Sequence, residues 1–136
     1  MTIETWDPSK PENDNDGYVI DETFLQRIID FMTIQILDDV RSFISLEEQQ
    51  YHQPIMLQPK EEWLARRLLF STDDIIALIK FFTLAEMQYS HWRAEEHSPV
   101  IWLTQILRQK EGKIDKNLLL WIKKESDNKF LPNGAL

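Results

Sequence analysis

The stretch from Phe70 to Tyr89, FSTDDIIALIKFFTLAEMQY, constrains the fold more than any other part of the chain. Ser71 can cap a helix there, because its side-chain oxygen can accept from a free backbone N–H, and Asp74 can complete a capping box. The helix that follows is apolar on almost every side, so it has to be surrounded by protein or by lipid. Lys80 and several other polar residues argue against lipid. We therefore expect residues 72–91 to form the central helix of a helical domain.

Four further helices are predicted from apolar spacing and from capping residues. Their approximate ranges are 22–48, 59–69, 99–111 and 116–126. A first helix of about 27 residues would be about 40 Å long. Because a compact domain of this size cannot easily cover that length, we expect a bend or break near Ser42–Ser45 or a contact with another subunit. No strand pattern is convincing. The sequence predicts an all-α fold, with one compact domain of about five helices in a bundle or orthogonal array over residues 21–136.

Residues 1–20 are predicted to form an acidic, largely irregular arm ahead of this domain. Pro8 and Pro11 forbid a continuous helix, and the run from Asn13 to Gly17 is rich in turn-forming residues. Residues 1–23 carry seven acids and one base, which gives a net charge of −6. Trp6 is the exception in this polar segment, because a Trp there either packs back on the domain or docks on a partner.

The composition excludes several functional classes. The chain has 136 residues, no cysteine and a net charge of −8. The missing cysteines rule out disulfides, thiolate nucleophiles and cysteine-ligated zinc. An acidic chain repels phosphate backbones, so we expect no nucleic-acid partner. No secretory signal and no apolar run of about 18 residues is visible, so we expect a cytoplasmic protein with no membrane partner.

Residues 12–23 resemble an EF-hand calcium loop over half of its length. Oxygen ligands fall at positions 1, 3 and 5, and Gly17 stands at position 6. Position 12 requires a bidentate Glu, but Thr23 occupies it and Glu22 comes one residue early. The prolines upstream leave no room for an entering helix. A flexible acidic turn ahead of a helix cap at Asp21 is the favoured interpretation.

A second group of polar residues, between the third and fourth predicted helices, suggests a metal or acid–base site. If the helix continues to Glu95, His91 and Glu95 share one face four residues apart and can hold one metal. The full candidate set is Glu86, His91, Glu95 and His97. The competing interpretation is a polar elbow, because no Glu-x-x-His or His-Glu-x-x-His pattern is present. A buried Glu86 would need a partner, for which we expect Arg93 or a tyrosine.

The aromatic residues indicate a contact surface. Trp, Tyr and Arg dominate the energetics of protein interfaces. The candidates for contact residues are Trp6, Tyr89, Trp92 and Arg93. Core packing is the alternative for these residues. A third possibility is a small-molecule pocket between helices. Such a pocket would be lined by Phe81, Phe82, Met87 and Trp102.

Taken together, these patterns favour a small acidic cytoplasmic helical protein that acts through protein–protein interaction, as an adaptor, regulatory or inhibitory partner. Self-association, such as a homodimer, is a further expectation. The alternative is an enzyme or a metal- or ligand-binding helical protein with a polar site around Glu86, His91 and His97. No motif in the sequence points to a catalytic residue or to a cofactor.

Overall fold

Helices account for all the regular structure in a computed structural model of the chain, which describes residues 17–35 and 37–132. The α-helices in these ranges are α1 Glu22–Ile34, α2 Leu46–His52, α3 Lys60–Leu64, α4 Thr72–Gln88, α5 Pro99–Glu111 and α6 Lys116–Glu125. Short 3-10 segments cover Gln53–Leu57, Arg67–Leu69 and Glu95–His97. No strand occurs within the two described ranges, which confirms the all-α prediction.

The helix α4 is the centre of the fold, as predicted. It packs against α1, α5 and α6. The Ser71 side chain accepts from the Asp74 backbone N–H at 3.1 Å, and the Asp74 carboxylate accepts from the Ser71 backbone N–H at 3.1 Å, so the expected capping box is present. The buried apolar side chains of α4 are Ile75, Leu78, Ile79, Phe81, Phe82, Leu84 and Ala85. Two polar side chains, those of Thr83 and Glu86, are buried among them.

The prediction of a single helix over residues 22–48 is wrong. The first helix ends at Ile34, and a separate helix, α2, begins at Leu46. Ser45 caps α2 through a second capping box, which it forms with Glu48. The expected break is therefore real, but it extends well ahead of Ser42–Ser45.

The C-terminal end of α4 explains this break. The Gln88 side chain accepts from the Val40 backbone N–H at 2.8 Å and donates to the Asp38 carbonyl at 3.1 Å. The Tyr89 hydroxyl donates to the Val40 carbonyl at 2.5 Å. Because these side chains take backbone groups that a helix would use, the chain around Val40 cannot be helical. Its apolar spacing still resembles that of a helix, since Val40 and Ile44 are both buried in the core.

The remaining boundaries follow their local caps closely. Ser98 and Asp115 cap α5 and α6, and Gly112 ends α5 in the left-handed region at φ 83°. These two helices lie where the sequence predicted them. The predicted helix over 59–69 is split into α3 and the 3-10 segment Arg67–Leu69, and α2 ends at His52, beyond the end predicted for the first helix at residue 48. The predicted arm lies outside the described residues up to residue 16.

In the described residues, no helix combines the length and apolar character that crossing a membrane requires.

We expect the substitution Gln88→Ala to loosen the segment around Val40. The Val40 amide would lose its acceptor in a buried position, which costs about 1–3 kcal/mol of unfolding free energy. Urea denaturation measures the loss of stability, and hydrogen exchange should show faster exchange of the Val40 amide. Gln50→Ala on the exposed side of α2 is the matched control. Equal exchange at Val40 in the two variants would contradict the proposed cause of the break.

Candidate functional site

After Gln88 the chain leaves α4 and enters an elbow, defined here as residues 89–98. Tyr89 is extended, and the backbones of His91 and Glu95 have φ values of 69° and 50°. Residues other than glycine rarely adopt this left-handed region, so the surrounding contacts have to hold the elbow in place. One such contact is the Gln53 side chain, which donates to the His91 carbonyl at 3.1 Å.

Tyr89 and Trp92 hold the elbow to the core. Tyr89 is 4% exposed and Trp92 is fully buried. Their rings meet edge to face with centroids 4.9 Å apart, and the Trp92 indole N–H donates to the Gln49 carbonyl at 3.1 Å. Burial also raises the pKa of the Tyr89 hydroxyl. These two predicted contact residues therefore belong to the core and offer no exposed surface in this fold.

A buried carboxylate, that of Glu86, forms the centre of the elbow. Glu86 is only 3% exposed. Its Oε2 atom accepts from the backbone N–H groups of Ala94 and Glu95, at 3.0 and 3.3 Å, and from the Asn128 amide at 2.9 Å. Its Oε1 atom is buried and has no hydrogen-bond partner in the described part of the chain. One side chain of α4 thus joins the elbow to the segment that follows α6.

Asn128 is a site residue that the sequence analysis missed. Besides its bond to Glu86, its amide donates to the Glu95 carbonyl at 3.0 Å, and its side-chain oxygen accepts from the Phe130 N–H at 2.9 Å. In the sequence it lies just beyond the helix predicted over 116–126. No local pattern could have paired it with Glu86, because 42 positions separate the two.

We expected Glu86 to contact Arg93 or a tyrosine directly, and this prediction is wrong. Arg93 instead forms ion pairs with Glu95 at 3.3 Å and with Asp127, and its side chain is half-exposed. Burial raises the pKa of the Glu86 carboxyl. The hydrogen bonds that it accepts oppose this rise, as does the nearby positive charge of Arg93. Arg93 therefore acts on Glu86 through its charge, while its hydrogen bonds go to the Asp127 carboxylate and the Met87 sulfur.

The geometry on which the metal prediction depended is also wrong. Because α4 ends at Gln88, His91 and Glu95 share no helical face. His91 and His97 are exposed, whereas Glu86 points into the interior. Across residues 17–35 and 37–132, no three His, Cys, Asp or Glu side chains are grouped so that they could hold a metal ion.

A groove of about 640 Å³ lies between α4, α5 and α6, away from the elbow. We call it the α6 groove. Its apolar lining comes from Ile76, Leu107, Leu118 and Trp121. None of the four residues predicted to line a pocket contributes to it, and Phe81 and Phe82 are fully buried in the core. Trp121 lies in the helix predicted over 116–126, but only the packing of three helices makes the concave surface around it.

Contacts at the rim fix the Trp121 ring and the polarity of the α6 groove. The Lys80 ammonium lies 5.6 Å from the centre of the Trp121 ring, and the Trp121 indole N–H donates to the Asp38 carboxylate at 3.3 Å. The two acids of the lining already have partners. Glu111 accepts from the Thr72 hydroxyl at 2.5 Å, and Asp115 accepts from the Asn117 N–H at 3.0 Å as the cap of α6.

Two predictions from the sequence concern residues that lie partly or wholly outside the described ranges. Trp6 lies outside them, as do the first five positions of the calcium-like loop. The end of that loop is described, and there the Asp21 carboxylate accepts from the Thr23 N–H as the cap of α1.

The elbow and the α6 groove are the candidate functional features of the described chain. No protein-family model, curated protein or solved structure matches the sequence. A function therefore has to be argued from these residues alone.

We expect Glu86→Ala and Glu86→Gln to differ sharply. The Ala variant leaves the buried Ala94 N–H without its acceptor, which should lower the free energy of unfolding by about 2 kcal/mol. The Gln variant retains an acceptor and removes a charge that burial disfavours, so it should stay close to the wild type. Urea denaturation measures both values, with the exposed Glu96→Ala as the control. Equal losses in the Ala and Gln variants would contradict this account of the elbow.

The pH dependence of stability, compared between the wild type and Glu86→Gln, tests whether the pKa of Glu86 is raised. Because burial raises the pKa of Glu86, the folded chain takes up this proton at a higher pH than the unfolded chain. The wild type should therefore gain stability relative to Glu86→Gln as the pH falls from neutral towards the ordinary value of 4.5. Urea denaturation across this range measures the difference. A difference that stays constant with pH would contradict the raised pKa.

Proposed function

We propose that this chain is a small acidic cytoplasmic protein that acts by binding a segment of another protein, and that the α6 groove is its binding surface. The observation that carries the proposal is the concave apolar lining of the groove beside a half-exposed Trp121. Helical proteins commonly bind partner segments in such grooves between helices. The absence of cysteine suits the reducing cytoplasm.

The apolar lining supports an anchor residue on the partner. Ile76 and Trp121 are both half-buried, so each has apolar surface left for a bound side chain. Large apolar anchors that fill a pocket supply most of the binding energy at protein interfaces, and Trp is the commonest hot-spot residue. A volume of about 640 Å³ accommodates one or two large side chains together with part of their backbone.

The rim of the α6 groove carries charges of both signs. Glu111 and Asp115 are held by Thr72 and by the first turn of α6. Lys113 has no ion pair with any residue in the described ranges, and it is exposed at the groove. Lys80 adds a second positive charge over the indole ring. These two lysines stand beside the two carboxylates of the lining, so charged groups of either sign on the partner would fix its register in the groove.

A peptide library displayed on phage and selected against the full chain tests the proposal. We expect the enriched peptides to carry a large apolar side chain. Synthetic copies of these peptides should bind Ile76→Ser and Trp121→Ala about tenfold more weakly, or worse, than the wild type, because both variants remove anchor contacts. Calorimetry measures the affinities.

Leu120→Ala is the matched control for this experiment. Leu120 lies on α6 directly before Trp121 and is 55% exposed, but it does not line the α6 groove. Its substitution should leave the affinities unchanged, and circular dichroism verifies that every variant folds. No enrichment, or peptides whose affinity is the same for the groove variants and the wild type, would overturn the groove as the binding surface.

A further inference from the structure

We propose that Met87 is a methionine-oxidation site and that Arg93 binds the sulfoxide that forms there. The inference is independent of the proposed function, because Met87 does not line the α6 groove. It rests on two observations about the last turn of α4. The Met87 side chain is accessible to water, and its sulfur already accepts from a hydrogen-bond donor that other contacts hold in place.

Met87 is the most accessible methionine among the described residues. It is 39% exposed, whereas Met56 is fully buried and Met32 is half-buried. An oxidant dissolved in water therefore reaches the Met87 sulfur more easily than it reaches the other two. Because the sequence contains no cysteine, methionines carry the only sulfur atoms that a peroxide can oxidise in this chain.

Arg93 directs one of its three guanidinium nitrogens at this sulfur. Its Nη1 donates to the Met87 Sδ at 3.6 Å, while Nε pairs with Glu95 at 3.3 Å and Nη2 pairs with Asp127. The two carboxylates orient the guanidinium plane and so fix the direction in which Nη1 donates. A thioether sulfur is only a weak acceptor, so Nη1 has the weakest partner of the three nitrogens.

Oxidation converts this weak acceptor into a strong one. A lone pair on the sulfur attacks one oxygen of hydrogen peroxide, an S–O bond forms, the O–O bond breaks, and after proton transfer the second oxygen leaves as water. The sulfur loses two electrons, and the peroxide gains them. The product carries a polar oxygen on the sulfur, to which a charged guanidinium N–H donates a stronger hydrogen bond than it donates to a thioether.

The sulfoxide at Met87 therefore has a partner in place when it forms. A methionine sulfoxide commonly disrupts the packing around it, because a polar group replaces an apolar one. At Met87 the new oxygen completes the contacts of Arg93, which already joins the elbow to Asp127 in the segment after α6. Oxidation of this residue thus strengthens a surface link where it would otherwise loosen the fold.

Peroxide treatment followed by peptide mass mapping tests the site. The full chain is sampled over time in hydrogen peroxide, and the oxidised fraction of each methionine is measured. We expect Met87 to oxidise about tenfold faster than the fully buried Met56, and also faster than Met32. The chain unfolded in urea is the control, in which the three rates should converge. A folded chain in which Met87 reacts no faster than Met32 or Met56 would overturn Met87 as the site.

Urea denaturation before and after this oxidation tests the role of Arg93. Oxidation should leave the unfolding equilibrium constant of the wild type within about twofold of its starting value, or lower it, because Arg93 binds the new oxygen. In Arg93→Ala the sulfoxide has no donor, so oxidation should raise that constant about tenfold. Each chain is compared with its own unoxidised form, so the ion pairs lost in the variant cancel. Arg67→Ala, which removes an exposed arginine bound to the Leu64 carbonyl, is the matched control and should respond as the wild type does.

Met87→Leu separates this effect from oxidation elsewhere in the chain. Leucine retains an apolar side chain but cannot form a sulfoxide, so the double variant Met87→Leu with Arg93→Ala should lose its response to peroxide. A response that persists in the double variant would overturn Met87 as the residue responsible. An equal rise of the unfolding constant in the wild type and in Arg93→Ala would overturn the binding of the sulfoxide by Arg93.

Discussion

Burial of most of the α4 surface is the constraint that organises this fold. Phe81 and Phe82 are adjacent in sequence and point in different directions, yet both are fully buried. Hiding one such side chain from water contributes about 1.5–3 kcal/mol, so a bare face on α4 would be costly. The helices α1, α5 and α6 cover three of its sides, and the segment around Val40 covers part of the remainder. The connections between helices are short or irregular because each has to bring the next helix back against α4.

Polar side chains at the C-terminal end of α4 give the irregular segments their shape. Gln88 and Tyr89 bind the backbone near Val40, and Glu86 binds the elbow and Asn128. The bonds to the Val40 segment and to Asn128 join segments that lie far apart in sequence, whereas the bonds from Glu86 to the elbow are local. The last turn of the most apolar helix in the fold thus supplies the hydrogen-bond partners that would otherwise be missing from two loops.

These two kinds of interaction explain what the sequence could predict. The start of α4 and the limits of α5 and α6 follow from nearby caps such as Ser71 and Gly112, so local patterns were sufficient. The break after Ile34 depends on Gln88, about fifty positions away, so apolar spacing alone suggested one long helix. Glu86 was recognised as unusual, but its partners were not, because Asn128 comes from the opposite end of the domain. The groove arises from the mutual packing of three helices, and no single segment carries a signal for it.

The bond between Trp121 and Asp38 links two distant parts of the molecule. The same indole that lines the groove donates to a carboxylate on the segment between α1 and α2, and the backbone of that segment is held by Gln88. Any ligand that rotates the Trp121 ring has to break this bond. The groove and the segment between α1 and α2 therefore share one hydrogen bond, so a ligand that moved Trp121 would leave the Asp38 carboxylate without this donor.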